Sequence, residues 1–219
     1  MAQRWFPQFL SSTDGSAEVA FAVIMVVIIN GYVALGNLSS GFWYIVRVDV
    51  LACLAWGLID GFIYATSSAI DRGRDARIVE QLKQGKERPA ISSEVRDLLD
   101  DTFLTHFSAE AKATITATIL AHPPEATVIP ARTITYEEGR GWVAIIFIYL
   151  VVAALLALPF LVIPDKLVAW YVSNALGIGW LFWYGARIGQ AVQGNRWAWA
   201  VVPAAVGIGL LAVSYLTYG

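Results

Sequence analysis

Residues 50–69 read VLACLAWGLIDGFIYATSSA. The run is long and apolar enough to cross ~30 Å of hydrocarbon as one helix. At ~100° per residue, Asp49, Cys53, Gly57, Asp60, Tyr64 and Ser67 fall on one side of that helix, and Leu51, Leu54, Leu58, Ile59, Phe62 and Ile63 on the other. Asp49 and Asp60 differ by only ~20° in direction and by ~16 Å in depth. An ionised carboxylate near the centre of a bilayer costs at least ~2.5–3.5 kcal/mol, so a helix carrying one turns it toward a partner, a cavity, an ion or a proton. Asp60 is the leading candidate for such a role. Asp49 lies nearer the interface, where a carboxylate is cheap, and Cys53 reads as a small packing residue.

Composition agrees with a membrane protein. Of the 219 residues, 58% are hydrophobic and 15% charged, against ~25% charged in a soluble domain. Cys53 is the single cysteine, which excludes an internal disulfide and a thiolate zinc cluster. The basic residues alternate with acids and trace no groove, so no nucleic-acid partner is expected. No Ser/His/Asp or Cys/His constellation, phosphate loop or HExxH motif occurs, so the chain does not read as an enzyme.

Five spans are predicted, at 17–36, 50–69, 142–163, 167–186 and 197–217, with Trp43, Tyr44, Trp142, Trp197 and Tyr218 as aromatic anchors near their ends. The first is read as a retained helix, since its apolar run is too long for a cleaved leader and Arg4 is its only nearby positive charge. With five spans, Arg4, the ten basic residues from Arg72 to Arg140, Arg187 and Arg196 share one side, against Arg47 and Lys166 on the other. The positive-inside rule then puts the N-terminus and the 70–141 loop in the cytoplasm and the C-terminus opposite. Either a prokaryotic plasma membrane or an organelle membrane fits this integral topology. The expected domains are 1–69, 70–141 and 142–219.

The 70–141 region is too small to hold a large core and is expected to pack as helices. The second span runs on through SSAIDRGRDARIVEQL to stop near Gly85. A further helix is expected to start at Ser92 or Ser93, with Val95, Leu98, Leu99 and Phe103 as its apolar face. Another starts at Ser108 and ends before His122-Pro123-Pro124, and 125–140 reads as extended or irregular. Glu94, Asp97 and Asp101 share a face with Asp100 adjacent; such a set either binds a hard divalent cation or is a solvated face. His106 and His122 read as ordinary surface or packing residues.

Within the other spans, Asn30, Ala34 and Asn37 share a face, serving either interhelical hydrogen bonds or a substrate. Gly31 and Gly36 permit close helix approach. Met25 is a soft ligand, a lipid-facing residue or core filler. Pro159 is expected to bend the third span. In the fourth, Ser173, Gly177, Tyr184 and Arg187 share a face. The pairs Ala175-x-x-x-Gly179 and Ala205-x-x-x-Gly209 fit tight packing of the last two spans. For Asp60 two readings stay open: ion or proton handling, or simple pairing with Arg47, Arg187 or a tyrosine hydroxyl.

Three stretches and the overall layout resemble the vacuolar iron transporter family. They are Ile29-Asn30-Gly31 followed by VALGNLSSG, then GLIDGFIYATSSAIDRGRDAR, and ALPFLVIP followed by two Gly-rich helices. The resemblance implies a dimer that moves Fe²⁺ or Mn²⁺ out of the cytosol against protons. It aligns the family's first-span aspartate with Asn30 and its second-span glutamate near Asp60. It also implies metal collection by cytoplasmic carboxylates, here Glu80 and Glu87 on one helix and Glu94, Asp97 and Asp101 on the next. The expectation is therefore an all-α polytopic membrane protein with five transmembrane helices and a small helical cytoplasmic domain. The substrate pathway would use Asn30, Asp60, Asp49, Tyr64 and Met25, the metal would be cargo, and no resident cofactor is needed. The alternative is a non-transporting membrane scaffold or regulatory subunit on the same fold.

Overall fold

Every regular element in the computed structural model is helical among the residues it describes: 12–37, 42–84, 88–100, 103–122 and 133–218. In order these are α1 (Ser12–Asn37), α2 (Phe42–Gln84), α3 (Arg88–Asp100), a 3₁₀ turn (Phe103–His106), α4 (Ala109–Ala121), α5 (Tyr136–Val162), α6 (Lys166–Ala191) and α7 (Arg196–Tyr218). The chain divides into two compact units, one of Met1–Tyr64 with Gly139–Gly219 and the other of Ala65–Glu138.

Four helices carry segments long and apolar enough to cross a membrane: Gly15–Tyr32, Trp43–Gln84, Tyr136–Val162 and Arg196–Thr217. The remaining long helix, α6, has 26 residues, or ~39 Å, but is diluted by Trp170, Tyr171, Ser173, Asn174, Trp180, Trp183 and Tyr184. Its polarity goes with its position, because α6 packs on both α1 and α7 and buries Ala169, Trp170, Ser173, Asn174, Gly177, Leu181, Gly185 and Gly189.

The core of the first unit gathers Val23, Val26 and Val27 of α1, Cys53 of α2, Ile145, Tyr149, Ala153 and Leu156 of α5 and Leu181 of α6. Cys53 packs there as expected. A second cluster joins Ile45 to Phe160, Ala169 and Trp170. Along α2 the inward side is the polar stripe: Asp49, Cys53 and Gly57 are buried, whereas Leu51, Leu58, Ile59, Phe62 and Ile63 are exposed. Gly57 lets the α5 backbone approach, since a Cβ there would fall 3.0 Å from Ile146 Cα. Gly31 does the same for α7, facing Ser214.

The small-residue contact between α6 and α7 differs from the expected one. Gly185 and Gly189 make it: a Cβ on Gly185 would fall 2.8 Å from Ala200 Cα, and one on Gly189 2.7 Å from Arg196 Cα. Gly179 and Gly209 have no neighbour within 4 Å of such an atom. Both patterns carry small residues at the right spacing, and only the direction each face takes around the helix separates them.

In the second unit, Ile78, Leu82, Val95, Leu99, Ile119 and Leu120 form a small core. The N-cap at Ser108 is present, its hydroxyl accepting from Ala111 N at 3.2 Å. α2 ends at Gln84 and α4 at Ala121, as expected. Two expectations need correction. First, α3 begins at Arg88 rather than Ser92 or Ser93, with Pro89 in its first turn, where a missing N–H costs nothing. Second, the end of the supposedly irregular 125–140 stretch is helical, because Thr135 and Glu138 form a capping box. Glu138 N donates to Thr135 Oγ1 at 3.3 Å and Thr135 N to Glu138 Oε2 at 2.7 Å. Arg72 secures it, donating to Glu138 Oε1 at 3.0 Å and to the Thr133 carbonyl at 2.9 Å.

The glycine contacts yield a paired prediction. Gly185→Ala should destabilise the protein by about 1–3 kcal/mol through overpacking, whereas Gly179→Ala should leave stability unchanged or slightly raised, both read from thermal unfolding in detergent.

Candidate functional site

On α1, Glu18 and Met25 are seven residues apart and so share a face; on α2, Asp60 and Tyr64 are four apart and do the same. These four side chains, with Tyr149 of α5 and Trp56 of α2, line a cavity of about 500 Å³ within the first unit. The Tyr149 hydroxyl donates to Asp60 Oδ2. Asp60 thus finds a phenol on a neighbouring helix, and the exposed Arg47 is not what holds it. Trp142 braces the same region: its indole N–H donates to the Leu58 carbonyl at 3.1 Å, and its ring lies over Gly61 and edge-on to Phe62.

Asn30 is elsewhere. Its Nδ2 donates to Ser173 Oγ at 3.0 Å, Ser173 donates onward to the Leu156 carbonyl at 2.7 Å, and Trp170 Nε1 donates to the Asn30 carbonyl at 2.8 Å. This chain of bonds ties α1, α5 and α6 together. Asn30 is 1% exposed and its Oδ1 has no hydrogen-bond partner among the described residues.

Asp49 is 0% exposed, and neither carboxylate oxygen has a donor among the described residues. The sequence places it near an interface, yet Ile45 and Val48 belong to one buried cluster beside it and Cys53 to the other. Helical depth alone gives no account of the neighbouring helices that cover it. Of the five residues expected on a pathway, Met25, Asp60 and Tyr64 meet on the cavity, while Asn30 and Asp49 lie outside its lining.

No protein-family model matches this sequence, and no curated protein matches it significantly. The chemistry of the site has to be read from its own groups.

The cavity sets carboxylates from two helices and a thioether around one space. Carboxylate oxygens suit hard divalent cations such as Mg²⁺, Ca²⁺ and Mn²⁺, and the sulfur adds a softer donor. Glu18 and Tyr149 are the members that sequence reading missed. Glu18 was legible as a carboxylate one heptad before Met25, and Tyr149 as the lone hydroxyl in the apolar run 142–163.

The expected cytoplasmic carboxylates are less assembled. Glu80 is exposed and accepts from Gln84 Nε2 at 2.7 Å, and Asp97 is exposed. Asp100 pairs with Lys112. Glu94 lies on α3, and Glu87 and Asp101 lie outside the described residues. Among the described residues, no three of His, Cys, Asp and Glu converge on a metal-sized space.

Two substitutions separate the hydrogen-bonded network from the unpartnered acid. Ser173→Ala should cost about 1–3 kcal/mol, because it strips the Asn30 amide of its acceptor. Asp49→Leu, close in size, should raise stability by a similar amount, about 1–3 kcal/mol, by replacing a buried carboxylate without donors with an apolar side chain. Unfolding in detergent reads both.

Proposed function

We propose that this chain is a membrane transporter of a divalent metal ion, Fe²⁺ or Mn²⁺, exporting it from the cytosol in exchange for protons as a diverged relative of the vacuolar iron transporters. The supporting observation is the single cavity onto which Glu18, Met25 and Asp60 all open. In this reading Asp60 is the cation ligand or proton carrier, and the Tyr149 hydroxyl, by donating to Oδ2, holds that carboxylate in its orientation. Glu18 supplies a second carboxylate and Met25 a sulfur. The protein works as a homodimer. α6 serves as a fifth span beside the four more apolar helices, its polar residues covered by α1 and α7. The N-terminus and 70–141 then lie in the cytoplasm, where Glu80 and Asp97 help gather the ion.

One observation favours the alternative of a non-transporting scaffold. Asn30, aligned with the family's first-span aspartate, spends its amide on Ser173 of α6 and so does a packing job.

Flux decides between the two. Proteoliposomes carrying the wild-type protein should take up Mn²⁺ along an opposing proton gradient, and Asp60→Asn should lower uptake to that of empty vesicles. Unchanged uptake in both Asp60→Asn and Glu18→Gln would remove the cavity from the pathway. Absence of uptake by folded wild-type protein for both Mn²⁺ and Fe²⁺ would favour the scaffold.

A further inference from the structure

Between α6 and α7 a second feature lies apart from the cavity around Asp60. At the turn joining the two helices, a hollow of about 280 Å³ is lined by Phe182, Trp183, Arg187, Gln190, Arg196 and Trp197. The Arg187 guanidinium stands 5.9 Å from the Trp183 ring and that of Arg196 4.4 Å from Trp197. Both arginines are exposed, and neither has a carboxylate partner among the described residues. The turn is fixed: Gln193 adopts φ 54°, Gly194 N donates to the Gly189 carbonyl at 2.9 Å, and the Asn195 side chain caps α7 by accepting from Trp197 N at 3.0 Å. Two guanidiniums are therefore held at one rim, flanked by indoles of the kind that settle at headgroup depth.

Beside this hollow an apolar groove of about 650 Å³ lies along the same two helices, and Phe182 lines both spaces. Ala175, Gly179 and Ala205 are among its lining residues. Gly179 has no neighbour within 4 Å of where a side chain would begin, and that open space belongs to the groove. From Arg187 to Ala175 is ~18 Å of helix, about the depth of one leaflet of a ~30 Å hydrocarbon core.

The geometry points to a binding site for one anionic phospholipid, its phosphate between Arg187 and Arg196 and an acyl chain along the Ala175–Gly179–Ala205 groove. A phosphate accepts several charge-assisted hydrogen bonds from paired guanidiniums. A net-negative headgroup is selected because a zwitterionic one brings its own cation to a rim that already holds two. The site is independent of whether ions cross the protein.

The test uses the full-length protein in mild detergent, with phosphatidylglycerol and phosphatidylcholine of the same acyl chains added at equal concentration, and bound lipid counted by native mass spectrometry. Wild type should prefer phosphatidylglycerol by about tenfold or more, the order expected of two arginines near an anionic surface. The double substitution Arg187→Gln with Arg196→Gln should abolish that preference. Gly179→Phe, which fills the groove where a side chain has room, should weaken retention of both lipids. Inorganic phosphate should not displace the lipid at concentrations that leave the fold intact.

Equal binding of the two lipids by wild type, or a preference that survives the double substitution, would overturn the headgroup assignment. Unaltered retention in Gly179→Phe would overturn the groove assignment. Displacement by phosphate alone would mean a free-anion site. Efficient disulfide capture between two copies of Gly179→Cys in membranes would put a second protein chain in the groove instead of a lipid.

Discussion

A polar group inside an apolar helical unit has only the protein to bond with, and the arrangement of the long helices turns on how each such group is met. The Asn30 side-chain nitrogen and backbone carbonyl, Ser173 and Trp170 show the met case, while Asn30 Oδ1 has no partner among the described residues. One amide, one hydroxyl and one indole link α1 and α6 and reach the Leu156 carbonyl of α5. Each bond is worth only about 0.5–1.5 kcal/mol net, but leaving one buried partner unmade costs about 1–3 kcal/mol. The network therefore acts more through exclusion than through strength, since a rotation of α6 that broke it would strand several groups together. That constraint fixes which face of α6 looks at α1, and with it the faces left for α7.

The two acids on α2 divide along the same line. Asp60 has a phenol and opens on a cavity; Asp49 is sealed among apolar side chains with neither oxygen bonded among the described residues. They share a stripe, so helical periodicity treats them alike. Their difference comes from what the other helices bring: Tyr149 reaches one, and the core around Ile45 and Cys53 closes over the other.

Much of the secondary structure was legible because it is written locally. The inward stripe of α2, its run to Gln84, and the Ser108 cap all follow from spacing and capping chemistry. Local signals also went unread: Thr135-x-x-Glu138 is a capping box, and it starts α5 where an irregular stretch was expected. The α6–α7 contact was misassigned for a different reason. Small residues recur on more than one face of each helix, and choosing Gly185 and Gly189 over Gly179 requires the rotation of α6, which the buried polar network sets across 143 residues of sequence. The site follows the same rule. Met25, Asp60 and Tyr64 were visible one helix at a time, whereas their meeting, and the entry of Glu18 and Tyr149, depends on three helices at once.

The glycine seam between α6 and α7 bears on how the chain enters a bilayer. On the five-span reading, α6 alone is a poor candidate for leaving the translocation machinery, since it carries an asparagine, a serine and several aromatic dipoles. α6 is joined by a short capped turn to α7, a more apolar helix, and meets it backbone to backbone at Gly185 and Gly189. On the five-span reading the pair would partition as one hairpin. Synthesis of α7 would be the step that commits α6 to the membrane, and a ribosome paused before Arg196 would hold a helix that has no stable place to go.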